Sequence, residues 1–179
     1  MATPPDFTAG QVLTAAQMNA VGQWLVKEQT IGTAVSSVTV TGAFSADFDN
    51  YLITVTSGVS SGTQNVAFKL GSTTTGYYLG GAKFSYGSAT VTALNTNNGA
   101  NFARALAVTA NTLDTIIYVT SPNLAKRTSI VTLNGLTNTG EGAFFHAGFL
   151  DDATQYTAFT LECGGTLTGG NIKVYGFRN

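Results

Sequence analysis

Short runs of β-branched and aromatic residues, separated every few positions by Gly, Ser or Asn clusters, fill the chain from about Ile31 onward. This rhythm constrains the fold more than any other feature. Runs of this length form strands, and the clusters between them form turns, because Gly, Asn and Ser tolerate the backbone angles that turns need. Segments 35–40, 51–57, 65–70, 77–85, 101–108, 115–120, 128–133, 143–149, 156–163 and 171–178 read as strands, about nine of them regular. Side chains two apart in a strand share a face. The sets Tyr51, Ile53 and Val55; Val66, Phe68 and Leu70; Phe145, Ala147 and Phe149; and Ile172 and Val174 are therefore the expected core. Ser57-Gly58, Ser61-Gly62, Asn98-Gly99, Asn134-Gly135, Thr139-Gly140 and Gly164-Gly165 mark expected turns. The Ser-, Thr- and Asn-rich stretch 87–100 reads as the longest loop. With no helix between strands and no repeat of fixed period, the expected fold is all-β, an antiparallel β-sandwich or jelly roll of about 8–10 strands over residues 31–179.

Residues 1–30 differ. Pro4 and Pro5 make the start extended, and Thr14-Ala15-Ala16-Gln17 has the capping-box pattern that opens a helix. Leu13 can staple against Met18, and Met18, Val21 and Leu25 repeat at helical spacing with Trp24 beside them, which predicts a helix over 15–26. Gly22 weakens it by about 1 kcal/mol. So short a helix is marginal alone in water, so the segment is expected to dock on the β domain, on another copy or on another protein. Phe7, Val12, Leu13, Met18, Val21, Trp24 and Leu25 are the docking residues this reading selects.

Composition fits association better than catalysis. Charged residues make up 9% of the 179, and the net charge is −1. Short hydroxyl and amide side chains take the place of charge, so copies repel one another weakly and lose little side-chain entropy on packing. The eight Lys and Arg are scattered, with only Lys126-Arg127 adjacent, so no basic patch favours nucleic acid. No apolar run approaches the ~20 residues that span a bilayer, and the N-terminus lacks the features of a signal peptide, so neither membrane insertion nor export by a signal peptide is expected.

Two stretches carry a resemblance. The opening Phe7-Thr8-Ala9-Gly10-Gln11-Val12-Leu13-Thr14-Ala15-Ala16-Gln17-Met18-Asn19 resembles the N-terminal segment of phage tail, fibre and minor structural proteins. The segment Phe48-Asp49-Asn50-Tyr51-Leu52-Ile53 and the ending Gly170-Asn171-Ile172-Lys173-Val174-Tyr175-Gly176-Phe177-Arg178-Asn179, with Ser121-Pro122 between, resemble the β-sandwich domain at the distal ends of phage fibres. The resemblance implies a homotrimer or higher ring on the virion exterior, an N-terminal anchor to tail, baseplate or capsid protein, and an outward β domain that meets host-surface polysaccharide. It also leaves room for a capsid decoration protein. The chain departs from long fibres in having no shaft between its first segment and its strands, so any projection is short.

Chemistry-bearing residues are sparse. The single histidine, His146, stands opposite Phe145 and Phe149 by alternation and is expected to be partly exposed or at an interface rather than catalytic. Cys163 is expected to be a buried structural thiol. One His and one Cys cannot build a tetrahedral zinc site within one chain, although three copies of His146 on a threefold axis would offer a metal three ligands. Asp47 with Asp49, and Asp151 with Asp152, have the pairing that glycoside hydrolysis uses, and Asp47 and Asp49 with Asn50 offer oxygen ligands for calcium, but both pairs fall where turns are expected. A polysaccharide depolymerase is thus the weakest functional class, and no cofactor is implied. Tyr77, Tyr78 and Tyr86 are the candidates for stacking on sugar rings or for packing at a subunit interface.

Overall fold

The computed structural model describes residues 10, 12, 22–110, 113–135 and 142–177. These form twelve strands: β1 (Gln23–Thr30), β2 (Val35–Val40), β3 (Asn50–Ser60), β4 (Gln64–Leu70), β5 (Tyr77–Ser85), β6 (Val91–Gly99), β7 (Phe102–Val108), β8 (Leu113–Thr120), β9 (Thr128–Gly135), β10 (Gly142–Leu150), β11 (Phe159–Thr168) and β12 (Asn171–Phe177). Every pairing is antiparallel. The fold is all-β, and no helix occurs among the described residues.

Hydrogen-bonded neighbours run β6-β5-β10-β9-β8-β3-β11-β4-β7, with β12 and then β1 beside β3 and with β2 beside β11. The two ends of this path, β6 and β7, are consecutive strands, so the antiparallel sheet nearly closes on itself. It has a larger portion, β1-β12-β3-β8-β9-β10-β5-β6, and a smaller one, β2-β11-β4-β7. β3 joins them. Residues 50–56 pair with β12, and 50–55 with β8, but after a register shift Val59 and Ser60 pair with β11 instead. Ser57, in the left-handed region at φ 62°, sits at the shift, and its N–H donates to the Asp114 carboxylate at 2.9 Å.

The core lies between the portions. An unbroken chain of ring contacts runs through it from Phe48 to Tyr51 (6.0 Å), Phe44 (4.9 Å), Phe159 (5.8 Å), Phe68 (4.8 Å), Phe102 (6.3 Å) and Tyr77 (4.8 Å). Aliphatic residues of the inner faces, including Ile53, Val55, Ile117, Val119, Leu161, Ile172 and Val174, fill the space around it. Two tyrosines satisfy their hydroxyls in the same way. Tyr77 accepts from the Leu70 N–H at 2.9 Å and donates to its carbonyl at 3.1 Å, while Tyr51 accepts from Ser45 at 2.8 Å and donates back at 2.9 Å. Each pins a loop end that would otherwise leave two backbone groups unpaired in the interior.

Three expectations need correction. Gln23–Val26, assigned to a helix, belong to β1, which pairs with β12; the remainder of the expected helix lies outside the described residues. Gly22 at φ 111° sets the entry to the strand, and the backbone ladder to β12 outweighs the small helical preference of these few residues. The stretch expected as the longest loop contains β6, an edge strand held to β5 by its backbone rather than by burial of its side chains. Ser57-Gly58 and Gly164-Gly165 are not hairpin turns but lie inside β3 and β11 at their register shifts, and Asn134-Gly135 ends β9 paired to β10, whereas Ser61-Gly62 does link β3 to β4 and Thr139-Gly140 lies outside the described residues.

The crossing of β3 over the β11–β12 turn is tight. A Cβ on Gly170, which has φ 90°, would stand 2.7 Å from both the Cα and the N of Gly58. Gly170→Ala is therefore expected to destabilise by roughly 2–4 kcal/mol in chemical unfolding. Gly62→Ala, whose Cβ meets nothing within 4 Å, should stay within about 0.5 kcal/mol of wild type.

Candidate functional site: an exposed apolar sheet face

Alternation in β8 and β9 is regular, and both of its halves are apolar. Ile117, Val119 and Ile130 point inward, while Ile116, Tyr118, Val131 and Leu133 point outward. The registers assemble the outward residues into rows across the strands. One row runs Ile116, Leu133, Phe145, Ala82, Ala93 from β8 to β6. The next runs Leu25, Tyr175, Leu52, Tyr118, Val131, Ala147, Gly80, Asn95 and crosses the whole larger portion. A third joins Gly135, Ala143, Phe84 and Val91, with the Tyr86 hydroxyl lying over Gly135. The large members Leu25, Phe84, Val91, Ile116, Tyr118, Val131, Leu133 and Phe145 are each 38–57% exposed. Monomeric proteins rarely leave so continuous an apolar surface uncovered.

Charge is confined to the margins of this face. Between β3 and β6, the rows through Ile116 and Tyr118 carry no Asp, Glu, Lys, Arg or His. At the β1–β12 side Lys173 pairs with Glu28 at 3.9 Å. At one rim Asp114 holds Ser57, and at the other Arg127 pairs with Asp151 at 2.7 Å and lies 5.3 Å over the Phe149 ring.

The residues singled out from the sequence divide as follows. Trp24 and Leu25 are exposed on β1, Val12 is exposed, and Phe7, Leu13, Met18 and Val21 lie outside the described residues. Tyr77 is fully buried, with its hydroxyl committed to Leu70, so it cannot meet a sugar; burial pushes its phenol well above the ordinary value. Tyr78 belongs to the outer face but stacks on Phe149 at 5.1 Å. Tyr86 is exposed beside Phe84.

β10 faces opposite to the expected way. Phe144 and His146 point inward and Phe145 and Ala147 outward, because Gly81, directly across from His146, leaves room for the imidazole. His146 is 1% exposed rather than partly exposed. Its Nδ1 lies 3.5 Å from the Thr132 hydroxyl, and Nε2 has no hydrogen-bond partner among the described residues. Burial, and then the positive charge of Arg104, lower its pKa below the usual 6.5. Cys163 is half-buried against the edge of the core rather than fully buried.

The acidic pairs serve loops. Asp47 accepts from the Ser45 hydroxyl in the segment between β2 and β3. The Asp152 carboxylate accepts from the Thr154 hydroxyl and N–H, from the Tyr156 hydroxyl at 2.8 Å and from Thr73. Hydrogen bonding by the Thr154 and Tyr156 hydroxyls holds it below the ordinary carboxylate range. No group of three His, Cys, Asp or Glu side chains able to hold a metal occurs among the described residues.

A scan against protein-family models and a search of curated proteins give no match.

His146 makes stability depend on pH. Because its folded pKa is depressed, its neutral form contributes fully above the unfolded value near 6.5, and that contribution is lost as pH falls below it. Wild type should therefore lose more thermal stability than His146→Gln between about pH 7.5 and 5.5, with the difference read from paired melting curves.

Proposed function

We propose that this chain is a structural subunit of a tailed-phage virion, a short tail, fibre or tail-tip appendage that acts by assembly and binding rather than by turnover. The observation that carries the reading is the apolar outer face of the larger sheet portion on a chain with 9% charged residues. An uncharged, weakly self-repelling surface with a broad apolar face suits a protein that works packed among other subunits. The resemblance of the opening segment and of the chain's ending to phage fibre proteins supplies the virion context. In this reading residues 1–21 anchor the subunit to the particle, and copies associate as a homotrimer. The two sheet portions are the layers of a β-sandwich of jelly-roll type, whose outward end meets the host surface.

The second reading, a decoration protein clamped on the capsid lattice, draws on the same face. It differs in copy number and in needing no receptor. Labelling of intact particles with an antibody against residues 31–179, viewed by electron microscopy, separates the two. Label confined to the tail or a vertex is the expected result; label over the whole head would make the chain a decoration protein, and no label would remove it from the virion. Deleting residues 1–21, which leaves β1 in place, is expected to keep the fold and abolish incorporation into particles. Normal incorporation of that truncation would end the anchor assignment.

A further inference from the structure

We infer that the outer face of β3, β8, β9 and β10 is the surface through which one copy of this chain binds another, with Leu52, Ile116, Tyr118, Val131, Leu133 and Phe145 at its centre. The inference rests on the reading of the chain as an assembly subunit and names a two-fold contact between copies, additional to the contacts that make a homotrimer.

Three observations select a second copy as the occupant. The first is charge: with no Asp, Glu, Lys, Arg or His in the central rows between β3 and β6, the face offers nothing to a basic or acidic partner and instead matches a surface as uncharged as itself. The chain supplies that surface. The second is area. The three rows hold seventeen residues, and at about 4.8 Å between strands and about 6.6 Å between same-face rows they cover roughly 540 Å². Counted on both copies that is on the order of 1,080 Å², just above the ~1,000 Å² that a specific interface needs.

The third is the grading of side-chain size along the rows. From β3 to β10 one row reads Leu52, Tyr118, Val131, Ala147, and its neighbour reads Thr54, Ile116, Leu133, Phe145. A copy turned about an axis parallel to the strands, between β8 and β9, lays each row on its own reverse. Leu52 then meets Ala147, Tyr118 meets Val131, Ile116 meets Leu133, and Thr54 meets Phe145. The outer pairs set a large residue against a small one, and the central pairs set apolar side chains against each other, as a sheet-on-sheet contact requires.

Sedimentation equilibrium of the purified full-length chain tests this without any virion, so its failure is separable from failure of the functional reading. Wild type is expected to self-associate. Tyr118→Lys and Leu133→Lys should weaken that association roughly tenfold or more, whereas Ser36→Asp, on exposed β2 in the smaller portion, should leave it unchanged. If the lysine variants do not fold, hydroxyl-radical footprinting of wild type decides: labelling of Tyr118 and Phe145 should fall as concentration and association rise. A wild type that stays monomeric overturns the inference, as do folded lysine variants that associate normally or a footprint indifferent to association. A monomer with Tyr118 and Phe145 already protected would assign the cover to the chain's own residues 1–21 and would equally overturn it.

Discussion

One strand has to hydrogen-bond in two parts of the sheet, and the way β3 meets that demand sets the rest of the fold. Its first half lies between β12 and β8, and its last residues pair with β11. A strand with unbroken pleat cannot do both, because its hydrogen-bonding groups would stay aimed at the first pair of neighbours. The left-handed Ser57, tied by the Asp114 carboxylate, and the side-chain-free Gly58 change the strand's direction. Gly169 and Gly170 let the β11–β12 turn pass directly beneath. Once β3 has crossed, β11 brings β4 and β2 over the larger portion, and the ladder from Phe48 to Tyr77 fills the space between. Asn134 reinforces the junction from the other side. Its amide donates to the Asp114 carbonyl at 2.9 Å and accepts from the Ala107 N–H of β7 at 3.2 Å.

The two faces of the larger portion obey different constraints. The inner face is apolar because it is buried, and where polar groups enter it, as at Thr132, Asn134 and His146, the side chains are packed against β7 or into space left by glycine. The outer face has no such requirement from folding. A sheet with one face in water ordinarily alternates apolar with polar residues. Here β8 and β9 carry apolar residues on both faces, and in the proposed reading the outer one serves association between subunits.

The positions of most strands were legible in the sequence because their runs combine β-branched or aromatic residues with clear turn signals. Tyr51, Ile53 and Val55 are buried as their alternation predicts, and so are Val66, Phe68, Leu70, Ile172 and Val174. β6 was hidden because Val91–Gly99 is mostly Thr and Asn and is held by backbone pairing at an edge, a contribution that leaves little trace in side-chain pattern. β1 was hidden by a local helical signal that long-range pairing overrode. In β10 the adjacent Phe144 and Phe145 made either facing plausible, and the deciding residue, Gly81, is distant in sequence. The apolar outer face did have a signal: Ile116-Ile117-Tyr118-Val119, Ile130-Val131 and Phe144-Phe145 are apolar without alternation, the pattern of strands covered on both sides. Tyr77, an aromatic residue beside a loop, gives no comparable signal and is buried.

The claim that joins fold to function is that the outer face of β8, β9 and β10 is covered by another copy of the chain in the assembled state. Cryo-electron microscopy of the particle that contains it, at side-chain resolution, tests this most directly. The account predicts Tyr118, Val131, Leu133 and Phe145 packed against a neighbouring copy of this chain. Those side chains facing solvent, with neighbouring copies meeting through β2 or the loops, would contradict it.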